Sequence, residues 1–519
     1  MDELIEELST FGILIQNSAI SQCQSMLDRY NPQLVLNNIV ADSIKQNTTS
    51  ISTAILEDVD KQLKAKLQKL QRRQADSNVR KAQISTPIKE SKLNLDNGNI
   101  ESFKKLLILN DHVKLDSNSQ TDIEVFINDI GRMYMKVNCH RRSAAIDQAI
   151  TDMEDRFLSQ SKDHIIHDIR FKYREPVYVC GQLYYNQGYD DIGPLYMRSS
   201  LRSSSAKSIE ISLDDCKDYS VFPGQIVVAY GRNFEDRRFK VKEFCKIKPS
   251  VLFSMKHVIH DTHMIIACGP YLVLNDRDTF SSLKSLLTYA IYVQPSSLIL
   301  IGPFIDDNIN PNDGCFNMIM SEFVALLNQA YDNGLTSKII LVPSFDDVNC
   351  DCVYPHPPLT FQNSENIVSI TDPAQFKIND IFINTTSVDI LLHLKKHCTF
   401  SKSISDIDMI SAFVNHLFTQ RSFYPLFPSE SNVPLDLSKL QELEMFEMLP
   451  NVLILPSDLP QFLQLYSHDE SNSTLVINPG RISSRNSSTV NSFAHVGYCV
   501  KDQCFFGNIL QIPRDNINC

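Results

Sequence analysis

The chain has 519 residues, is 43% apolar, and carries a net charge of −12 with a pI near 5.6. That length holds roughly two to four domains, each with its own core. The acidity excludes a general affinity for nucleic acid, which rests mainly on phosphate neutralisation by Lys and Arg.

No run approaches the ~20 apolar residues that span a bilayer. The acidic start Met1-Asp2-Glu3-Leu4 lacks the layout of a secretory signal. An intracellular protein with no membrane contact is expected. The 13 cysteines are scattered and odd in number, which reads as free thiols in a reducing compartment. Cys350-Asp351-Cys352 and the Cys499/Cys504 pair lack the second pair, or the paired His, of a zinc site.

Residues 1–73 read as a helical domain, with Leu4, Leu8, Phe11 and Ile15 on one face. A later helix turns basic through Lys61, Lys64, Lys66, Lys69, Arg72 and Arg73, which reads as a solvated face. Residues 74–160 read as a linker and a helical connecting segment. The linker, to about residue 100, is polar and aperiodic. Within it, Ser85-Thr86-Pro87-Ile88-Lys89 is the minimal pattern of a proline-directed kinase, so Thr86 is a candidate phosphorylation site. The segment ends in a helix over 144–158 with the stripe Ile146, Ile150, Met153 and Phe157.

Residues 161–250 read as a small barrel of the OB type. Strands are expected at 177–183, 208–213, 226–231 and 239–244, with Phe222-Pro223-Gly224-Gln225 as a turn. Tyr184, Tyr185, Arg232, Arg237 and Arg238 are candidates for single-strand binding. Core aromatics and a solvated loop explain them equally well, and the acidity favours that reading.

Residues 251–519 alternate strands with helices, the latter expected at 278–291 and 317–333, which reads as layers on both faces of a sheet. Three apolar runs end in Gly/Pro turns: Cys268-Gly269-Pro270, Gly302-Pro303-Phe304-Ile305-Asp306, and Pro343-Ser344-Phe345-Asp346-Asp347. A fourth, Asn478-Pro479-Gly480-Arg481, lies near the C-terminus. Asp261-Thr262-His263 spells a metallophosphoesterase element but precedes its strand. That places it ~13 Å from the strand's far end, at ~3.3 Å per residue. His257 and His260 lack a carboxylate pair.

These turns identify a family. With them come Val353-Tyr354-Pro355-His356-Pro357-Pro358, Thr419 through Pro428, Leu453 through Leu459, and Tyr219-Ser220-Val221-Phe222-Pro223-Gly224-Gln225. Collinear over about 175–519, they resemble the B, or accessory, subunits of eukaryotic DNA polymerase α–primase.

The resemblance implies a multidomain α+β chain: an N-terminal helical domain, an OB-fold barrel, and a calcineurin-like phosphoesterase α/β domain lacking its metal site. The residues agree. A two-metal hydrolase clamps cations about 3.5–4 Å apart with Asp, Asn and His. Here Cys268, Gly269 and Pro270 replace Asp-x-His, and Gly302 and Pro303 replace Gly-Asp. Pro343 and Ser344 stand where Gly-Asn-His would be, and Asn478, Pro479, Gly480 and Arg481 replace Gly-His-x-His. Asp306, Asp346 and Asp347 survive as turn caps and surface charges.

No catalytic, metal or cofactor residues are therefore expected. The resemblance implies a nuclear scaffold that holds the C-terminal domain of the polymerase α catalytic subunit and, through the complex, the primase subunits. The N-terminal domain would recruit other replication factors, and DNA would be touched weakly or indirectly. Rival readings are the accessory subunit of polymerase δ or ε, an active metallophosphodiesterase, and a direct single-strand binder.

Overall fold

The computed structural model describes residues 14–15, 50–51, 53, 61, 121–126, 134, 139–160, 164–185, 193–233, 238–247, 260–272, 280–306, 316–348, 350–359, 366–401, 406–439, 443–445, 449–468, 472–483, 491–501 and 503–512. Contacts divide the chain into two units, Met1–Leu93 and Asn94–Cys519.

In the first unit, Leu14–Ile15 pairs in parallel with Ser50–Ile51. The helix expected through Ile15 therefore gives way to strand at that position. Gly12 costs ~1 kcal/mol inside a helix, and Ile13 and Ile15 are β-branched, which favours extended backbone. Thr53 and Lys61 are helical, as expected; the rest of the expected helical domain lies outside the described residues, as do Thr86 and the basic run beyond Lys61.

In the second unit, the helix Cys139–Gln160 buries Ile146, Ile150, Met153 and Phe157 at helical spacing. Expected as part of a connecting segment, it lies instead on the barrel wall against Cys180, Val228 and Ile247. Glu154, 1% exposed, fastens it there. Its carboxylate accepts from Ser200 Oγ at 2.8 Å and from Arg202 Nη2 at 2.9 Å.

The barrel closes in the order Val177–Tyr185, Leu195–Arg198, Ser208–Ser212, Arg238–Phe244, Ile226–Arg232. Alternation puts Val179, Leu183, Met197, Ile211, Phe239 and Val241 inside. Leu195–Arg198 is a strand that the sequence pattern did not reveal, a short run just after Gly193-Pro194.

Apart from one two-stranded pair, the remaining strands among the described residues form two six-stranded sheets. The first runs Ile367–Ser369, Lys338–Val342, Ser297–Ile301, Thr262–Cys268, Ser492–Cys499, Cys504–Gln511, and its first four strands are parallel. The second runs Phe462–Ser467, Ser473–Asn478, Val452–Ile454, Ile381–Thr385, Ala374–Ile378, Ile123–Val125.

The strands with helical connections expose neither face to water, yet their period of two still sorts the side chains. Ile265, Ala267, Leu298, Leu300, Ile339 and Leu341 meet the helices Ser281–Val293 and Phe316–Asp332. Met264, Ile266, Cys268, Ile299, Ile301, Ile340 and Val342 meet Ile383, Ile454 and Ile477 of the second sheet. The outer face of the second sheet packs on Ile390–His397 and Asp406–Gln420. The body is thus helix, sheet, sheet, helix: of the layers expected on the two faces of the first sheet, one is helical and the other is a second sheet. A fully apolar strand does not say whether its second face meets a helix or another sheet.

The segment 219–225 fixes the barrel to this body. Ser220–Val221 pairs with Thr399–Phe400. Fully buried Phe222 enters the cluster of Phe413, Leu417, Phe423 and Leu426 and meets His416 edge-on at 5.0 Å. Gln420 donates to Ile226 O at 2.9 Å and accepts from Ile226 N at 2.8 Å. Gly224 sits at φ +97°, and a Cβ there would strike Phe427 N and Pro425 O, so the turn admits only glycine.

Candidate functional site

In-register pairing brings three strand ends level: Cys268 lies beside Ile301, and Ile301 beside Val342. The Gly/Pro turns after them then stack. Gly269 N donates to Ile301 O at 2.8 Å, and Gly302 N to Val342 O at 2.9 Å. A Cβ on Gly269 would collide with Pro303 O, and one on Gly302 would lie 2.9 Å from Ser344 Cβ. The glycines are there because each turn leans on the next. Pro343 and Ser344 are buried, and Ser344 Oγ accepts from Asp346 N at 3.3 Å.

The fourth turn comes from the second sheet and is organised by Asn478, fully buried. Its Oδ1 accepts from Ser457 N at 3.0 Å and Gly480 N at 3.1 Å, while Nδ2 donates to Leu459 O at 3.0 Å. Ser492 Oγ donates to Pro479 O at 2.8 Å. Ile482 N donates to Cys268 O at 2.7 Å, which ties the fourth turn to the first.

Arg481 crosses this junction. Its Nη1 lies 3.1 Å from Cys268 Sγ, and its Nε donates to Asp458 Oδ1 at 2.9 Å. Behind them, Asp389 caps the helix Ile390–His397 by accepting from Leu392 N at 2.9 Å. Asp389 also accepts from Ser457 Oγ at 2.6 Å and from Asp458 N at 2.8 Å. Burial pulls the Arg481 pKa down, but Cys268, Asp458 and Asp389 outweigh it, and the net shift is upward. Burial pushes the Cys268 thiol up to about 11, against the pull of Arg481, so it is no nucleophile at neutral pH.

A cleft of about 430 Å³ opens over these turns, lined among others by Pro270, Pro303, Asp306, Asp346, Asp389 and Arg481. Of the surviving carboxylates, Asp306 is 2% exposed and Asp346 faces solvent. Asp347 is a turn cap: its Oδ2 accepts from Phe304 N at 2.5 Å. Burial pushes it up to about 7, in spite of backbone donors from Phe304, Ile305 and Val348.

The residues present do not fit a two-metal centre. Pro and Gly offer no side-chain ligand, and Arg481 puts a fixed cation at the junction. Among the described residues, no three His, Cys, Asp or Glu side chains gather as a metal would require.

The other sequence candidates lie elsewhere. His263 sits inside the strand Thr262–Cys268, at the end remote from Cys268, 5.1 Å from the Phe506 ring. Asp261 beside it accepts from Val500 N at 2.8 Å. His260 is exposed, and His257 is outside the described residues. Cys499 and Cys504 face each other across a hairpin. On the barrel, Tyr184 stacks on Tyr196 at 5.7 Å, and Tyr185 Oη reaches Thr399 Oγ1 at 3.4 Å. Arg238 pairs with Glu210 at 2.8 Å, Arg232 is exposed, and Arg237 is outside the described residues.

Sequence reasoning missed Asp389 as a member of the site. An Asp before the apolar run Ile390-Leu391-Leu392 is an N-cap signal, and it was there to be read.

The structure thus joins a five-stranded OB-type barrel to a mixed α/β body, with an arginine held across the strand-end turns. A family model for the B subunits of DNA polymerases alpha and epsilon matches residues 264–464. A second, for the OB domain of the DNA polymerase alpha B subunit, matches residues 143–247, including most of the helix on the barrel wall.

The DNA polymerase alpha B subunit of Mus musculus is 29% identical over 328 residues, covering 60% of this chain and 52% of its own. That of Bos taurus is 30% identical over 311 residues, covering 56% and 50%. That of Schizosaccharomyces pombe is 29% identical over 343 residues, covering 59% and 57%. Over residues 143–247 and 264–464 the chain is thus similar to the B subunits of DNA polymerases α and ε. It spans about half the length of the curated relatives it matches.

Proposed function

We propose that the chain is a non-catalytic accessory subunit of a DNA polymerase α–primase complex. It binds the C-terminal domain of the catalytic subunit, reaches the primase subunits through the complex, and supports initiation of replication in the nucleus. The body over 251–519 is an inactivated phosphoesterase fold. The barrel over 161–250 extends its docking surface, and residues 1–73 recruit further replication factors. Thr86 in the linker is the modification site, and DNA is touched only through the complex.

One observation carries the reading. At the strand ends, where a hydrolase of that fold would hold metal, Arg481 spends two nitrogens on Asp458 and Cys268. The relatives' names point the same way.

The test is a tagged purification from native cells at moderate salt, with partners identified by mass spectrometry. A polymerase catalytic subunit and two primase subunits in near-equal amounts are expected. A different polymerase would move the complex. A lone protein with bound metal and phosphodiesterase activity would overturn the reading.

A further inference from the structure

We infer that the open edge of the second sheet, the strand Phe462–Ser467, docks one extended segment of a partner protein, which adds to the sheet as a further strand and carries basic residues at its ends. The surface goes beyond the accessory-subunit reading and does not depend on it.

Hydrogen-bond parity shows which groups point outward. Among the described residues, Phe462–Ser467 pairs only with Ser473–Asn478. His468 N donates to Asn472 O at 2.9 Å. In an antiparallel ladder the bonded pairs recur every second residue, so they fall at Tyr466, Gln464 and Phe462. As that parity requires, Leu475 N turns the other way to Asn451 O, and Ile477 O to Leu455 N. Leu463, Leu465 and Ser467 therefore direct their N–H and C=O groups away from the sheet. Among the described residues, none of these groups has a hydrogen-bond partner.

Such a row specifies its occupant, because another extended backbone matches alternating donors and acceptors at strand spacing. The opposite edge of the same sheet is guarded. Ile123–Val125 has three residues, and its central Glu124 pairs with Lys377 at 3.5 Å. Phe462–Ser467 has six residues, with no charge and no proline among them.

Side chains define the segment further. Half-buried Leu463 and Phe505 pack against the core between the two sheets. Leu465, two positions on, continues that face at 54% exposure. A docked strand with apolar residues at alternate positions would cover it.

Charge sets the ends of the segment and disfavours a second copy of this chain. Between Lys439 and Arg481 there is no Lys or Arg, but there are Glu442, Glu444, Glu447, Asp458, Asp469 and Glu470. The helix Asp406–Gln420, which meets Gln464 and Tyr466 through Ser411 and Asn415, also has acidic residues and no Lys or Arg. Two copies of net charge −12 repel each other, and a segment ending in Lys or Arg is attracted.

The probe is a fluorescein-labelled Arg-Arg-Thr-Val-Thr-Val-Thr-Val-Arg-Arg peptide, titrated onto the full chain by anisotropy at low salt. One control is N-methylated at every central residue, and another has Glu in place of each Arg. The probe should bind saturably and slow amide exchange over 462–467, and both controls should bind at least tenfold more weakly. Leu465→Pro removes only an outward N–H. It should weaken binding at least tenfold with the melting temperature little changed. Should that variant not fold, Leu465→Lys keeps the backbone donor and puts a cation beside the docked strand, with a severalfold loss expected.

No saturable binding, equal binding of either control, exchange slowed elsewhere and not at 462–467, or undiminished binding in a folded Leu465 variant would overturn the inference. So would a wild-type dimer in sedimentation that Leu465→Pro dissolves, because a second copy would then hold the edge.

Discussion

The joint between barrel and body and the strand-end cleft are both built from Gly/Pro turns, yet they use them in opposite ways. At the joint, Pro223-Gly224 delivers Phe222 into a dry cluster, and the polar groups there are matched one to one. At the cleft, Gly269 and Gly302 let the turns stack closely, and a polar space stays open over them. Turn chemistry alone does not say which outcome a sequence intends. The side chain next to the turn does: Phe222 in one case, Arg481 in the other. The joint should therefore carry stability and the cleft should tolerate change.

The largest effect that tests this contrast is Phe222→Ala. Removing a fully buried Phe costs ~3–5 kcal/mol. Chemical denaturation should show that loss, and limited proteolysis should open the stretch between barrel and body. A loss near zero would mean the barrel is held by something other than this plug.

The next effect is a pH dependence seated at the joint. Burial pushes His416 down to about 4, with Ser220 Oγ at 2.7 Å on Nε2 and Gln225 Nε2 at 3.4 Å from Nδ1. A neutral His with a depressed pKa contributes stability that is complete above the unfolded value of ~6.5 and lost as pH falls towards 4. The span is worth up to about 3 kcal/mol, at 1.36 kcal/mol per unit.

Two buried carboxyls act the other way. Asp347 and Asp372, each pushed up to about 7 by burial, gain stability as pH falls from 7 towards 4. The whole-protein curve therefore mixes opposed slopes. The difference between wild type and His416→Gln isolates the joint: it should slope between pH 6.5 and 4 and be flat above. A flat difference throughout would place His416 in contact with water.

Much of this was legible in the sequence. Alternation marked four of the five barrel strands, and the helix stripe Ile146, Ile150, Met153, Phe157 came out buried as read. The strand-end turns were visible because Gly and Pro punctuate apolar runs. The second sheet as the partner layer was not visible, because strands such as Ser297–Ile301 are apolar on both faces. The joint was visible only as motif. Nothing local to 219–225 and 419–428 says that Gln420 and Ile226, 194 positions apart, exchange two hydrogen bonds. The ion-pair cluster was half visible: Arg481 stood out, but Asp458 and Asp389 reach it only through the meeting of three chain segments.

A middling effect is expected from Asp389→Ala. It removes an N-cap, worth about 0.5–2 kcal/mol, together with the acceptor for Ser457 Oγ and Asp458 N. Thermal melting should fall modestly and the barrel should stay attached, which separates this variant from Phe222→Ala.

The smallest effect is the one most specific to the cleft. Asp306 is the carboxylate left in the Gly302-Pro303 turn region, and in a working hydrolase its loss would abolish turnover. In a scaffold closed by Arg481, Asp306→Ala should leave complex assembly and DNA synthesis nearly unchanged, measured on the purified complex with a primed template. Its near-complete burial sets a stability change of about 1 kcal/mol, within the range of ordinary substitutions. If that single change instead removed a bound metal or a hydrolytic activity, the strand ends would be a catalytic centre after all. The contrast between a structural joint and a tolerant cleft would then have to be reversed.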